Sequence, residues 1–210
     1  MSDVASGVTR LGIIGGTFDP VHLGHLIIAE EFWYRLGLER VLFLPTSSPP
    51  HKVGRAISPV ADRLAMLRLA IEGNPHFAVS LVDVERSGPT YTADTLAILA
   101  GQHPGAQLFF LIGLDSLRDL PTWHEPGRIV RQARLAVAGR PGVTLDLPAV
   151  LAQVPEAADR IDFVDVPQID ISASAIRRRV RNGAPITYQV PPAVEAYISA
   201  RGLYRTLGQV

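Results

Sequence analysis

The chain has 210 residues, enough for one domain with its own buried core. Its 20 basic side chains balance 20 acidic ones, so no net charge draws it to nucleic acid or to a membrane surface. It contains no cysteine, which excludes disulfides, thiolate metal sites and a cysteine nucleophile.

An apolar run at 11–14 predicts the first strand, and 26–36 the first helix. A second strand is expected at 40–44. The second helix, 59–71, shows Val60, Leu64, Leu67 and Ile71 at helical spacing, with Ser58 as cap and Pro59 in the first turn. Residues 77–84 read as strand three, 93–100 as a helix, 107–112 as strand four and 125–132 as a helix. Strand five at 134–138, a helix at 148–153 and strand six at 162–166 follow. Helices at 172–181 and 192–200 come last, and Gly101, Gly183 and Gly202 stand just past three helix ends. Several strands are apolar on both faces, as buried parallel strands are. The alternation predicts an α/β fold, a doubly wound, Rossmann-like parallel sheet in three α/β/α layers. One domain is expected over 1–210, with the sheet core at 10–170 and a C-terminal helical segment at 171–210.

Ligands of such a sheet bind beyond the carboxyl ends of its strands, and the unusual stretches of the chain all fall there. G-G-T-F-D-P-V-H-L-G-H (15–25) follows strand one and P-P-H-K (49–52) follows strand two. Strand three leads into 86–92, strand four into 113–123, and strand six into I-S-A-S-A-I-R (171–177). In the first stretch Gly15, Gly16 and Gly24 let a ligand approach backbone N–H groups at a helix start, which makes a phosphate site; Thr17 and Phe18 share that turn. The spacing is neither G-x-G-x-x-G nor a P-loop, which disfavours a nicotinamide dehydrogenase or a P-loop kinase. His22 and His25, three apart, share one helical face and can direct N–H groups at the same phosphate oxygens. A zinc site is the competing reading, but it needs three or four ligands and only Asp19, which also fits as the group orienting this turn, is close in sequence. Lys52 is the single lysine among the 20 basic residues, in a chain that otherwise uses arginine. Ser172 is a plausible helix cap, placing Ser174 and the following amides in a first turn suited to phosphate, with Arg177 beside them. The rest of the run, Arg178, Arg179 and Arg181, reads as a solvated face.

Together with E-R-S-G-P-T-Y-T-A-D-T-L (85–96) and L-I-G-L-D-S-L-R-D-L-P-T-W (111–123), these stretches resemble, in order, the bacterial nicotinate mononucleotide adenylyltransferases of the H-x-G-H nucleotidyltransferase superfamily. The resemblance spans nearly the whole chain. It implies the nucleotidyltransferase fold and an enzyme of NAD biosynthesis that joins ATP, carrying Mg²⁺, to nicotinate mononucleotide, giving deamido-NAD and pyrophosphate. An acceptor phosphate is already an anionic nucleophile, so in-line attack needs alignment and charge neutralisation and no covalent intermediate. By the resemblance His25 holds the α-phosphate, His22 and Lys52 meet phosphates of the two substrates, and Arg177 takes the β- and γ-phosphates. Thr90 and Tyr91 precede a helix that Thr92 can cap, and their amides can take the pyridine carboxylate; an amide there sets donors against donors. Trp123 is expected to stack on the pyridine, and Asp115 to bind ribose or orient the metal. No protein-built metal site is expected, since Mg²⁺ on ATP keeps mostly water ligands. The family commonly shows I-S-S-T-x-I-R where this chain has Ala173 and Ser174, so a contact at 173 is in doubt while Ser174 keeps a hydroxyl. Nicotinamide mononucleotide or another phosphate monoester is the alternative acceptor. A non-catalytic nucleotide sensor of the same fold is the alternative class, against which the intact donors count. Residues 1–16 lack a basic stretch before an apolar run, and no later run reaches the ~18 residues of a membrane span, so the expected location is the cytoplasm. Small-molecule substrates are the expected partners, with monomer and homo-oligomer both open, as is a lid role for 45–59.

Overall fold

Alternate side chains of strand β1 (Arg10–Gly16) leave on opposite sides of the sheet, Leu11 and Ile13 into one hydrophobic cluster and Ile14 into another. The same alternation in β4 (Gln107–Gly113) sends Leu108, Phe110 and Ile112 to the first cluster and Phe109 and Leu111 to the second. Both faces of these strands are therefore core, as the unbroken apolar runs predict. The computed structural model describes residues 8–46, 57–139 and 145–205. With β2 (Arg40–Pro45), β3 (Phe77–Val79), β5 (Ala133–Ala138) and β6 (Ile161–Val164) they form a six-stranded, all-parallel sheet in the order β3-β2-β1-β4-β5-β6. The connections reverse direction between β1 and β4, which opens a crevice at their carboxyl ends.

Helices α1 (Leu23–Leu36) and α2 (Val60–Ile71) cover one face, packing Phe32, Met66 and Leu67 into its core. Helices α4 (Thr92–Gln102), α5 (Leu114–Asp119), α6 (Pro126–Gln132) and α7 (Leu147–Gln153) cover the other, with Leu96, Leu117, Ile129 and Val150 buried. Helices α8 (Ala173–Arg181) and α9 (Pro192–Ala200) add Ile176, Val194 and Ile198 to the α1–α2 side. The result is the expected three-layer, doubly wound architecture. Among the described residues no helix is long and apolar enough to cross a membrane.

Several local expectations are corrected. Strand three stops at Val79, and α3 (Val82–Glu85) turns the chain away, because Asp83 is drawn inward by a hydrogen bond from Thr95 on α4. Residues 114–119, expected in a loop, form α5, followed by a 3₁₀ turn at Leu120–Thr122. Helix α2 starts after Pro59 with no side-chain cap from Ser58, and its buried face carries Asp62, Arg63 and Met66 rather than Val60 and Leu64. Thr92 is the first residue of α4, not its cap, since Tyr91 takes the extended cap position. Gly101 lies inside α4, whereas Gly183 and Gly202 do adopt the left-handed backbone past their helices.

Candidate active site

The turn from β1 into α1 is built around two glycines that leave no room for a side chain. A Cβ on Gly16 would sit 2.9 Å from the Phe18 ring, and one on Gly24 would sit 3.1 Å from His22 Nδ1. Phe18 itself takes a left-handed φ of 48°, which tucks its ring under the turn and edge-on to His25 at 5.1 Å. His22 caps α1 from an extended backbone, and its amide donates to His25 Nδ1 at 3.2 Å. The two imidazoles stack with centroids 3.7 Å apart, as their spacing on one face predicts. Helix α1 therefore begins at Leu23, earlier than expected, and both histidines are set by its first turn.

This geometry decides protonation. Burial lowers the His22 pKa from 6.5 to about 4; burial, and then the neighbouring His22, lower that of His25 to about 3. At neutral pH both rings are uncharged. Because His25 Nδ1 accepts the His22 amide, the His25 proton sits on Nε2 and makes that nitrogen a donor. His22 is 6% exposed and its Nδ1 has no partner among the described residues. Stacked, desolvated, neutral imidazoles at a helix N-terminus leave the site short of negative charge, the complement of a polyphosphate.

Arg177, from α8, reaches the same turn and donates from Nη1 to the Asp19 carbonyl at 2.5 Å. It stands in the middle of α8 rather than at its start. Ser172 caps α8 by accepting from the Ala175 amide, and its hydroxyl lies 3.2 Å from that of Ser174. Lys52, and His51 beside it, lie outside the described residues.

On the other side of the turn a cleft of about 590 Å³ opens beside Gly15, Gly16 and Thr17, bounded by Thr90, Tyr91 and Trp123. Trp123 stands edge-on to Phe110 at 6.0 Å. Tyr91 faces His124 at 4.1 Å across the mouth. Thr90 lines the cleft, and its buried hydroxyl has no hydrogen-bond partner among the described residues. Asp115 is placed apart from this lining, on the first turn of α5, half-exposed and 3.7 Å from Arg118. Among the described residues no group of three or more His, Asp or Glu is arranged to hold a metal, and the zinc reading finds no third ligand beside the histidines.

Two groups at this site escape a reading of sequence alone. Arg63, only 1% exposed, donates from Nε to the Ser58 carbonyl at 3.1 Å and from Nη1 to the carbonyls of Thr17 and Thr46 at 2.8 and 2.9 Å. It thereby fastens the phosphate turn to both ends of the segment that carries Lys52. Desolvation lowers its pKa, partly offset by Asp19, and a guanidinium stays charged under such a shift. The available signal was a cation in register with the apolar stripe of α2, three residues after Val60 and four before Leu67. The second group is the Thr90 hydroxyl, which has no partner among the described residues, a fact visible only in three dimensions.

Comparison with known proteins agrees with this geometry. Residues 13–179 match the family described as cytidylyltransferase-like. A probable nicotinate-nucleotide adenylyltransferase of Thermomicrobium roseum is 60% identical over 200 residues, covering 95% of this chain and 94% of that protein. A protein of the same name from Roseiflexus sp. is 48% identical, with 93% and 98% covered. The solved structure of Plasmodium falciparum nicotinic acid mononucleotide adenylyltransferase complexed with NaAD superposes with a TM-score of 0.75 at 20% identity, covering 93% of this chain and 97% of that one. At that identity the likeness is one of fold.

Proposed function

Because the chain belongs to the cytidylyltransferase-like family, and within it to the nicotinate-nucleotide adenylyltransferases, we propose that it joins ATP to nicotinate mononucleotide, releasing pyrophosphate and forming deamido-NAD for NAD biosynthesis. One observation supports this most: Gly15–Thr17 form a wall of the Thr90–Trp123 cleft and also lead into the turn bearing His22 and His25. A pyridine nucleotide in the cleft would place its phosphate beside the triphosphate site.

An oxygen of the acceptor phosphate attacks the α-phosphorus as the bond to the bridging oxygen of the β-phosphate breaks, and pyrophosphate leaves with that electron pair. No group need take a proton from the attacking anion. His25 Nε2–H donates to the α-phosphate where charge builds, and His22 and Lys52 meet substrate phosphates. Arg177 meets the β- and γ-phosphates with the part of its fork not bound to Asp19, and the Ser172–Ser174 turn lies beside it. Magnesium would come with the ATP substrate and neutralise charge on its phosphates. The amides of Thr90 and Tyr91 and the Thr90 hydroxyl, unpartnered among the described residues, face the acceptor carboxylate, Trp123 takes the ring, and Asp115, on the first turn of α5 beyond the cleft lining, is the group assigned to the ribose. A site with three donors prefers the acid, because an amide brings its own donors against them. These residue roles, and a cytoplasmic location, complete the proposal.

Pyrophosphate release from Mg²⁺-ATP, measured with nicotinate mononucleotide, with its amide, and with no acceptor, tests the reading. Release with the acid alone is expected. Equal release with both acceptors overturns the specificity, and silence with both overturns the activity.

A further inference from the structure

From the contacts converging on Asp19 we infer that Tyr204, at the far end of the chain, is a positioning residue for adenylyl transfer, acting through Asp19 on Arg177 and the histidine turn. The inference rests on the activity proposed above. Asp19 is 3% exposed and stands three residues before His22. Its carbonyl accepts Arg177 Nη1 at 2.5 Å, and its Oδ2 accepts the Ser58 amide at 3.2 Å. Its Oδ1 accepts the Tyr204 hydroxyl at 2.7 Å, a bond spanning 185 residues of sequence. The peptide that locates Arg177 is thus itself located by Tyr204. A hydroxyl bonded to a buried carboxylate is a strong, directional tie.

The backbone is shaped to deliver that hydroxyl. Past α9, Gly202 at φ 60° donates to Ser199 O while Leu203 donates to Ile198 O at 3.0 Å, the paired bonds that reverse a chain at a helix end. Tyr204 then takes a φ of 65°, uncommon for a bulky residue, and returns its ring over the α1–α2 core. Docking of α9 does not require this bond. Tyr197 donates to Asp62 Oδ1 at 2.8 Å and Arg201 Nε to the same atom at 3.3 Å, fastening α9 to α2 away from the turn. The two tyrosines therefore make the same kind of bond to two buried aspartates, and only one aspartate touches the phosphate site.

That pairing supplies the test. Tyr204→Phe and Tyr197→Phe each remove one hydroxyl and should lower the melting temperature by similar amounts. Displacing catalytic donors by a fraction of an ångström is costly, so Tyr204→Phe should reduce kcat roughly tenfold and leave the acceptor KM within about twofold. Tyr197→Phe should leave kcat within about twofold, since the Asp62 carboxylate bonds Tyr197 and Arg201 on the α9 side, and the turn is held instead by the Arg63 guanidinium, which this variant leaves in place. Groups acting through one shared contact are non-additive, so adding Tyr204→Phe to Arg177→Lys should lose much less than the product of the separate losses. Unchanged kcat in Tyr204→Phe, an equal loss in Tyr197→Phe, or multiplicative losses in the double variant each overturn the positioning role. Wild-type pyrophosphate release judges the activity separately: a silent wild type overturns the activity itself, whereas an active wild type matched by Tyr204→Phe overturns only the role of Tyr204.

Discussion

His25→Ala should separate catalysis from folding, and the separation should depend on pH. The substitution removes the acceptor of the His22 amide and the ring stacked on His22. At pH 7 the lost capping bond costs about 1 kcal/mol. Against this stands the proton equilibrium. In the folded protein His25 has its pKa lowered from 6.5 to about 3, chiefly by burial. Between those values the unfolded chain binds a proton that the folded chain does not, so wild-type stability falls as the pH drops through 6.5. From pH 7 to pH 5 this one group removes about 2 kcal/mol, a figure nearly the same for any folded pKa below about 4, since pH 5 lies above it. The variant escapes that loss. It should be about 1 kcal/mol less stable than wild type at pH 7 and about 1 kcal/mol more stable at pH 5. Turnover should fall by roughly 10²–10³, as when one donor to a developing oxyanion is deleted. Urea unfolding of both proteins at the two pH values, with pyrophosphate release at pH 7, measures both quantities. Parallel stability losses from pH 7 to pH 5 would refute a buried neutral imidazole, and turnover within tenfold of wild type would refute its donor role.

Trp123→Ala should raise the acceptor KM at least about tenfold with little change for ATP, because the ring borders only the cleft side of the turn; equal effects on both substrates in steady-state kinetics would indicate general repacking. Arg63→Met should destabilise the protein by roughly 3–5 kcal/mol in urea titrations, since it strands the buried carbonyls of Thr17, Thr46 and Ser58 and removes one of the two cations beside Asp19. A cost under about 1 kcal/mol would contradict the clamp. Lys52→Arg conserves charge but not the compact ammonium, and kcat should drop. Unchanged kinetics would mean that the single lysine has no special task.

What a residue does with its near neighbours in sequence was legible; what it does with distant ones was not. The runs that became β1, β2, β4 and β5 are apolar along their length, and burial of both faces follows from that pattern alone. The phosphate turn was legible for a similar reason: its glycines and both histidines lie within 11 consecutive residues, and spacing sets their faces on a helix start. Strand three was overextended because periodicity cannot see Thr95 drawing Asp83 inward. Tertiary structure alone decided which side chains hold the site in place. Arg63 meets Thr17 across 46 residues, Arg177 meets Asp19 across 158, and Tyr204 meets Asp19 across 185. Local chemistry specified a turn able to bind phosphate. Folding then supplied its rigidity, because burial strips water from Asp19 and Arg63 and leaves other parts of the chain as their partners.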